Sequence, residues 1–254
     1  MGNYLVKDIK RALGSKMTKV YLICTAALIL VANIAVICFR FIYGSNEGTF
    51  SYNVFEYASW CFLIPYYSCI VIGMIAVGDD ASSGEYKSMK PWQRYIEKLA
   101  VAVVLAALLF VVAFVVLYII TTLFHINEGL IPGFVIKSFF SKAFLSLPLW
   151  FAGISFAIMV LFIFDKRWKA VVGFAVVTVV IPQIIRIFSL DTFKFELFRT
   201  IRRYTITQSF GLVPYPSYPD RSPALIVTLG FVYGIIAIII GITVYTGRQK
   251  NNEL

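Results

Sequence analysis

Histidine occurs once in 254 residues, at His125, and charged side chains make up only 14% of the chain. The first scarcity excludes zinc sites built on several histidines. The second excludes an ordinary soluble domain, in which about 25% of residues are charged. Three motifs are also missing: the G-x-x-x-x-G-K-[ST] loop that cradles nucleotide phosphates, the H-E-x-x-H zinc helix and the G-x-S-x-G nucleophile elbow. The chain is therefore expected to hydrolyse no ATP itself, to bind no metal or cofactor, and to have no catalytic residues. Cys24, Cys38, Cys61 and Cys69 each fall in or at the edge of an apolar run, and none forms a metal-spaced pair. They read as small hydrophobes.

What the chain does have is hydrocarbon: 60% of it is hydrophobic and the mean hydropathy is +0.83. A helix needs about 20 mostly apolar residues to span a bilayer. Six stretches meet that length: Val20–Phe39, Tyr57–Val77, Leu99–Phe124, Phe144–Phe164, Val171–Phe188 and Ala224–Tyr245. They are continuously apolar, whereas barrel strands alternate in segments of about 10 residues. The expected fold is an all-α integral membrane protein with six transmembrane helices, one membrane domain over residues 1–254. Nineteen polar-rich residues precede the first run and no A-x-A site follows it, so that run reads as an uncleaved span. Val6 stands where N-myristoylation needs Ser or Thr.

Residues 1–19 carry Leu5, Ile9, Leu13 and Met17 at four-residue spacing, with Lys7, Asp8, Lys10, Arg11 and Lys19 on the other face. That pattern predicts a helix lying in the membrane interface. Residues 41–56, with Gly44, Ser45, Asn46 and Gly48, read as a loop. Pro65 predicts a kink in the second span. The densest charge lies in Gly78–Lys98: Asp79, Asp80, Glu85, Lys87, Lys90, Arg94, Glu97 and Lys98. Ser82-Ser83-Gly84 and Lys90-Pro91 break helix on either side of a short piece, Glu85–Met89, because proline disfavours helix at the residue before it. The third span starts from Trp92. The connection from His125 to Lys142 reads as a loop, and Asp165–Lys169 as a short basic turn. Arg186 lies near the end of a span that also holds Pro182, a position from which its side chain can snorkel to the headgroups or face a translocation path. Between Ser189 and Ser222, Leu190, Phe193, Leu197, Phe198 and Ile201 interleave with Lys194, Arg199, Arg202 and Arg203. This predicts an amphipathic helix in the second interface, followed by a turn rich in proline and tyrosine.

The net charge is +10. The basic residues flank the apolar runs, which assigns them to lipid headgroups and topology rather than to nucleic acid. On the side that holds the N-terminus, Lys and Arg number five before the first span, four in Gly78–Lys98, three after the fourth span and two in the tail. The opposite side holds eight, five of them in the one long connection after span five. The positive-inside bias places both termini in the cytoplasm of a cell-membrane protein.

In this order of parts the chain resembles the permease subunits of ABC transporters of the ABC-2 (type V exporter) kind. The local match runs through Asp79 or Asp80, Gly84, Lys87, Ser88, Pro91, Arg94 and Lys98, with Glu85 at a place where threonine is common and Trp92 beside the proline. The resemblance implies a cytoplasmic coupling helix between spans two and three, seated in a groove of a separate ATPase subunit through Glu85–Trp92. It implies two copies of that ATPase, which would hold the ATP and Mg, and a second permease, identical or related, meeting this one through spans two and five. It further implies re-entrant or interfacial outer helices between spans five and six, capping the substrate path with Leu190–Tyr204. Arg186, Lys194, Arg199, Arg202 and Arg203 would stand at that path or gate. Few fixed charges and many aromatics suit export of an amphipathic or hydrophobic cargo: an antimicrobial peptide, a drug or a lipid. Two other classes share the apolar runs. A non-transporting ligand-binding or immunity module would need no ATPase. An ion-coupled carrier would need mid-membrane acidic pairs or inverted repeats, which the sequence does not show.

Overall fold

The computed structural model describes residues 2–43, 50–78, 89–124, 130–190, 195–214 and 223–252. All the regular structure in them is helical: α1 (Gly2–Gly14), α2 (Lys16–Tyr43), α3 (Phe50–Trp60), α4 (Leu63–Val77), α5 (Pro91–Phe124), α6 (Gly133–Ile163), α7 (Arg167–Ala175), a π-helical turn (Val176–Val180), α8 (Ile181–Phe188), α9 (Glu196–Arg203), α10 (Ile206–Leu212) and α11 (Pro223–Asn252). Five helical stretches are long and apolar enough to cross a membrane, and α3 with α4 makes a sixth when the bent pair is taken as one span. The chain is a helical, multi-pass membrane protein.

α6 is the centre. Two thirds of its apolar window (67%) is buried, against 11% for α2 and 11% for the α7–α8 span. It packs along α11 and against α4, α5, α3 and α7. The α6–α11 contact is close because α11 presents Gly230, Gly234, Ala237 and Gly241 along one face. A Cβ at Gly230 would collide with the backbone of Pro148 in α6, and one at Gly241 with the Tyr95 ring of α5. Small residues at this spacing let helix backbones approach where lipid offers no hydrophobic drive for association.

Both breaks within spans sit just ahead of a proline. α3 and α4 meet at 56°. Pro65 has no N–H to offer the carbonyl of Cys61, and its ring crowds that carbonyl; Ile64 N–H donates to Cys61 O instead, at 2.9 Å. The break also frees Phe62 O to accept from Trp150 Nε1 of α6 at 2.9 Å. In the α7–α8 span, Pro182 similarly cannot satisfy Thr178 O. The backbone widens into the π-turn, with Ile181 N–H donating to Val176 O.

Four sequence expectations change. Residues 50–56 are not loop but the start of α3, whose Phe50, Val54 and Phe55 are buried; Phe55 packs edge-on to Phe139 with centroids 5.3 Å apart. α6 begins at Gly133, eleven residues before the expected Phe144, because Val135, Phe139 and Lys142 keep helical spacing on its buried face. The interfacial segment 1–19 is split at Ser15, whose Oγ accepts from Thr18 N–H at 3.1 Å and so caps α2. Of the amphipathic helix expected over Leu190–Tyr204, the described residues hold a shorter one, α9, which starts at Glu196; a further short helix, α10, follows it, with Thr205 Oγ1 capping it through Gln208 N–H at 3.3 Å.

Candidate functional site

The charged side chains gather at the end of the bundle that carries α1, the last turn of α4, the first turns of α5, the α6–α7 turn and the end of α11. The 79–88 segment leaves and returns there. Asp79, Asp80, Gly84, Glu85, Lys87 and Ser88 themselves lie outside the described residues, as does the piece 85–88; what the structure gives is how both ends of that segment are held.

The leaving end is Gly78, in the left-handed region at φ 62°. Only glycine takes that conformation without strain, and the Arg11 guanidinium of α1 lies beside it, 2.9 Å from where a Cβ would stand. Gly78 O accepts from Arg167 Nη2 at 2.8 Å. Arg167 thus ties the backbone where α4 stops, with the Arg11 guanidinium lying alongside.

The returning end is α5. Pro91 takes the first helical position, where its missing N–H costs nothing. Gln93 Oε1 accepts from Lys90 N–H at 3.2 Å, the reciprocal half of a capping box. The Trp92 indole is exposed, Arg94 half-buried. Two turns further, Lys98 Nζ donates to Asp8 Oδ2 of α1 at 2.5 Å, with side-chain exposures of 1% and 3%. Arg11 stands 3.5 Å from the same carboxylate. Asp8 and Lys98 are far from each other in sequence and were read separately, Asp8 as part of a polar helix face and Lys98 as the last charge of the loop. Folding puts both inside.

The neighbouring α6–α7 turn is held by α11. Arg248 Nη2 reaches both oxygens of Asp165 at 2.9 and 3.0 Å, and its Nη1 donates to Ile163 O. α1, α4, α5, α6, α7 and α11 are therefore cross-linked by polar contacts at one end.

The other predicted residues lie at the opposite end. Arg186 on α8, Arg199 and Arg203 on α9 are exposed; Lys194 lies outside the described residues. Arg202 is tied down: Nε donates to Gln208 Oε1 at 3.1 Å and Nη1 to Ser189 Oγ at 3.2 Å. Ser189 Oγ in turn donates to Arg186 O at 2.7 Å. The structure thus joins Arg186 and Arg202 through Ser189 and leaves Arg199 and Arg203 facing outward. An ion pair also lies at this end, and nothing in the sequence pointed to it. Lys142 Nζ of α6 contacts Glu56 Oε2 of α3 at 2.6 Å; both residues had been placed outside the spans.

No family model matches this chain, and no curated protein matches it significantly. The functional reading therefore rests on the sequence and the geometry.

Proposed function

We propose that this chain is the membrane-spanning permease subunit of an ATP-driven ABC exporter of the ABC-2 kind, with the braced end in the cytoplasm and the 79–88 segment as its coupling element. One observation carries the reading: both ends of that segment are anchored by side chains from other helices, Gly78 by Arg167 and α5 by the buried Asp8–Lys98 pair. A segment with loose ends absorbs a push; one with fixed ends passes it into α4 and α5. ATP and Mg sit in two separate ATPase subunits, whose closure moves the segment. The broken α3–α4 span and the π-turn before α8 are places where the transmembrane helices can yield.

A second permease, identical or related, faces the α7–α8 span, since no residue of α8 is buried. Of α4, Ile64 is the one exposed residue, so span two offers less to that contact than the resemblance implies. α9 and α10 form the outer cap, with Arg199 and Arg203 presented to an amphipathic or hydrophobic cargo.

Mild-detergent purification of the full chain from its native cells tests the class. An ATPase bearing a phosphate loop should come along in about equal amount. A chain that purifies alone in several detergents, with nucleotide present, overturns the proposal in favour of a ligand-binding module.

A further inference from the structure

α2 packs against α5 and α3, and between it and α4 lies a groove of about 860 Å³. Its wall on α2 runs from Lys16 to Ala32, which at 1.5 Å per residue is about 24 Å. That exceeds the depth of one bilayer leaflet, about half of a 30 Å hydrocarbon core. The floor is formed by α4 and α5, with Trp150 and Ile154 of α6 at the back.

The lining gives a polar ligand little to bind. The hydroxyl of Tyr21 is engaged with Ser68 Oγ at 2.9 Å across the groove, Ser68 Oγ also reaches Pro65 O at 2.9 Å, and Thr25 donates to Tyr21 O at 2.9 Å. These groups satisfy one another, so a hydrogen-bonding guest would leave its own polar groups unpaired. Among the described residues of the lining, Lys16 carries the one charge, at the mouth on the α1 end. Lys19, Lys10 and Lys7 are exposed on the first turns of α2 and on α1. The occupant must therefore be hydrocarbon along its length and anionic at one end.

We infer that this groove is a phospholipid site, holding an acyl chain between α2 and α4–α5 with an anionic headgroup at Lys16. The inference depends on the membrane setting and not on the ATPase. A resident lipid would fill the space behind the weakly buried α2 and couple its position to the charge of that leaflet.

Native cysteines supply the test. Cys24 and Cys61 line the groove; Cys38 is exposed on α2 outside it. In purified full-length protein, labelling by an apolar maleimide is followed at each cysteine by mass spectrometry. At about ten times its Kd, phosphatidylglycerol should slow Cys24 and Cys61 about tenfold and leave Cys38 unchanged. Phosphatidylcholine of the same chains should protect clearly less, and Lys16→Glu should erase that preference. Equal protection at all three cysteines would mean a general lipid coat and overturn the site. Equal protection by both lipids would overturn the headgroup assignment. Protection that grows with protein concentration and needs no lipid would assign the groove to a second copy of this chain.

Discussion

Among the described residues, two ion pairs inside the bundle are chemically alike and physically different. Asp8–Lys98 joins α1 to α5 at 2.5 Å with 3% and 1% of the side chains exposed; Glu56–Lys142 joins α3 to α6 at 2.6 Å with 27% and 9% exposed. A half-wet pair can lose a partner and let water take its place. A sealed pair cannot, because the remaining charge has no solvent to turn to. The sealed pair lies beside the segment proposed to receive force, the wetter one at the opposite end. Loss of one partner therefore leaves a buried charge beside that segment and a partly hydrated one at the far end.

Substitution at Asp8 should have the largest effect. Asp8→Asn removes the carboxylate from a lysine that is 1% exposed and should cost about 3–5 kcal/mol, read as loss of folded protein by thermal unfolding in detergent. Lys98→Met should cost less, because Arg11 stays 3.5 Å from Asp8. The double variant Asp8→Leu/Lys98→Met should recover most of the loss, since an apolar pair needs no desolvation. A single variant costing under about 1 kcal/mol, the range of exposed pairs, would remove the distinction between the two sites.

Lys142→Met should be milder, about 1–3 kcal/mol for leaving one half-buried partner unsatisfied, measured in the same unfolding assay. An effect equal to that of Asp8→Asn would show that burial does not separate the pairs. Arg248→Gln should be the mildest. Its partner Asp165 is 76% exposed, and an exposed pair is worth about 0–1 kcal/mol.

The long apolar runs were legible because hydropathy over 20 residues needs no tertiary information. The bend in the second span was legible from Pro65, whereas the π-turn ahead of Pro182 was not read from the sequence. The start of α5 could be read from Lys90-Pro91, since proline acts locally. Residues 50–56 of α3 and the first eleven residues of α6 were not legible: Ser51, Asn53 and Glu56, or Lys137 and Lys142, lower the hydropathy, and their helical faces make sense only once packed together. The buried ion pairs join residues on different helices, and nothing local in the sequence links them. One signal was available and unused. Gly230, Gly234, Ala237 and Gly241 repeat at helix-packing spacing and mark the face of α11 that meets α6 and Tyr95.

The most direct test of the central claim is a photo-cross-linking residue placed at Trp92 in the intact, natively expressed complex. Trp92 is 44% exposed on the first turn of α5, and Leu130, 86% exposed at the opposite end, serves as the control. The account predicts an adduct from position 92 to an ATP-binding subunit and none from position 130. An ATPase adduct at position 130, or none at position 92 in a complex that contains the ATPase, would contradict it.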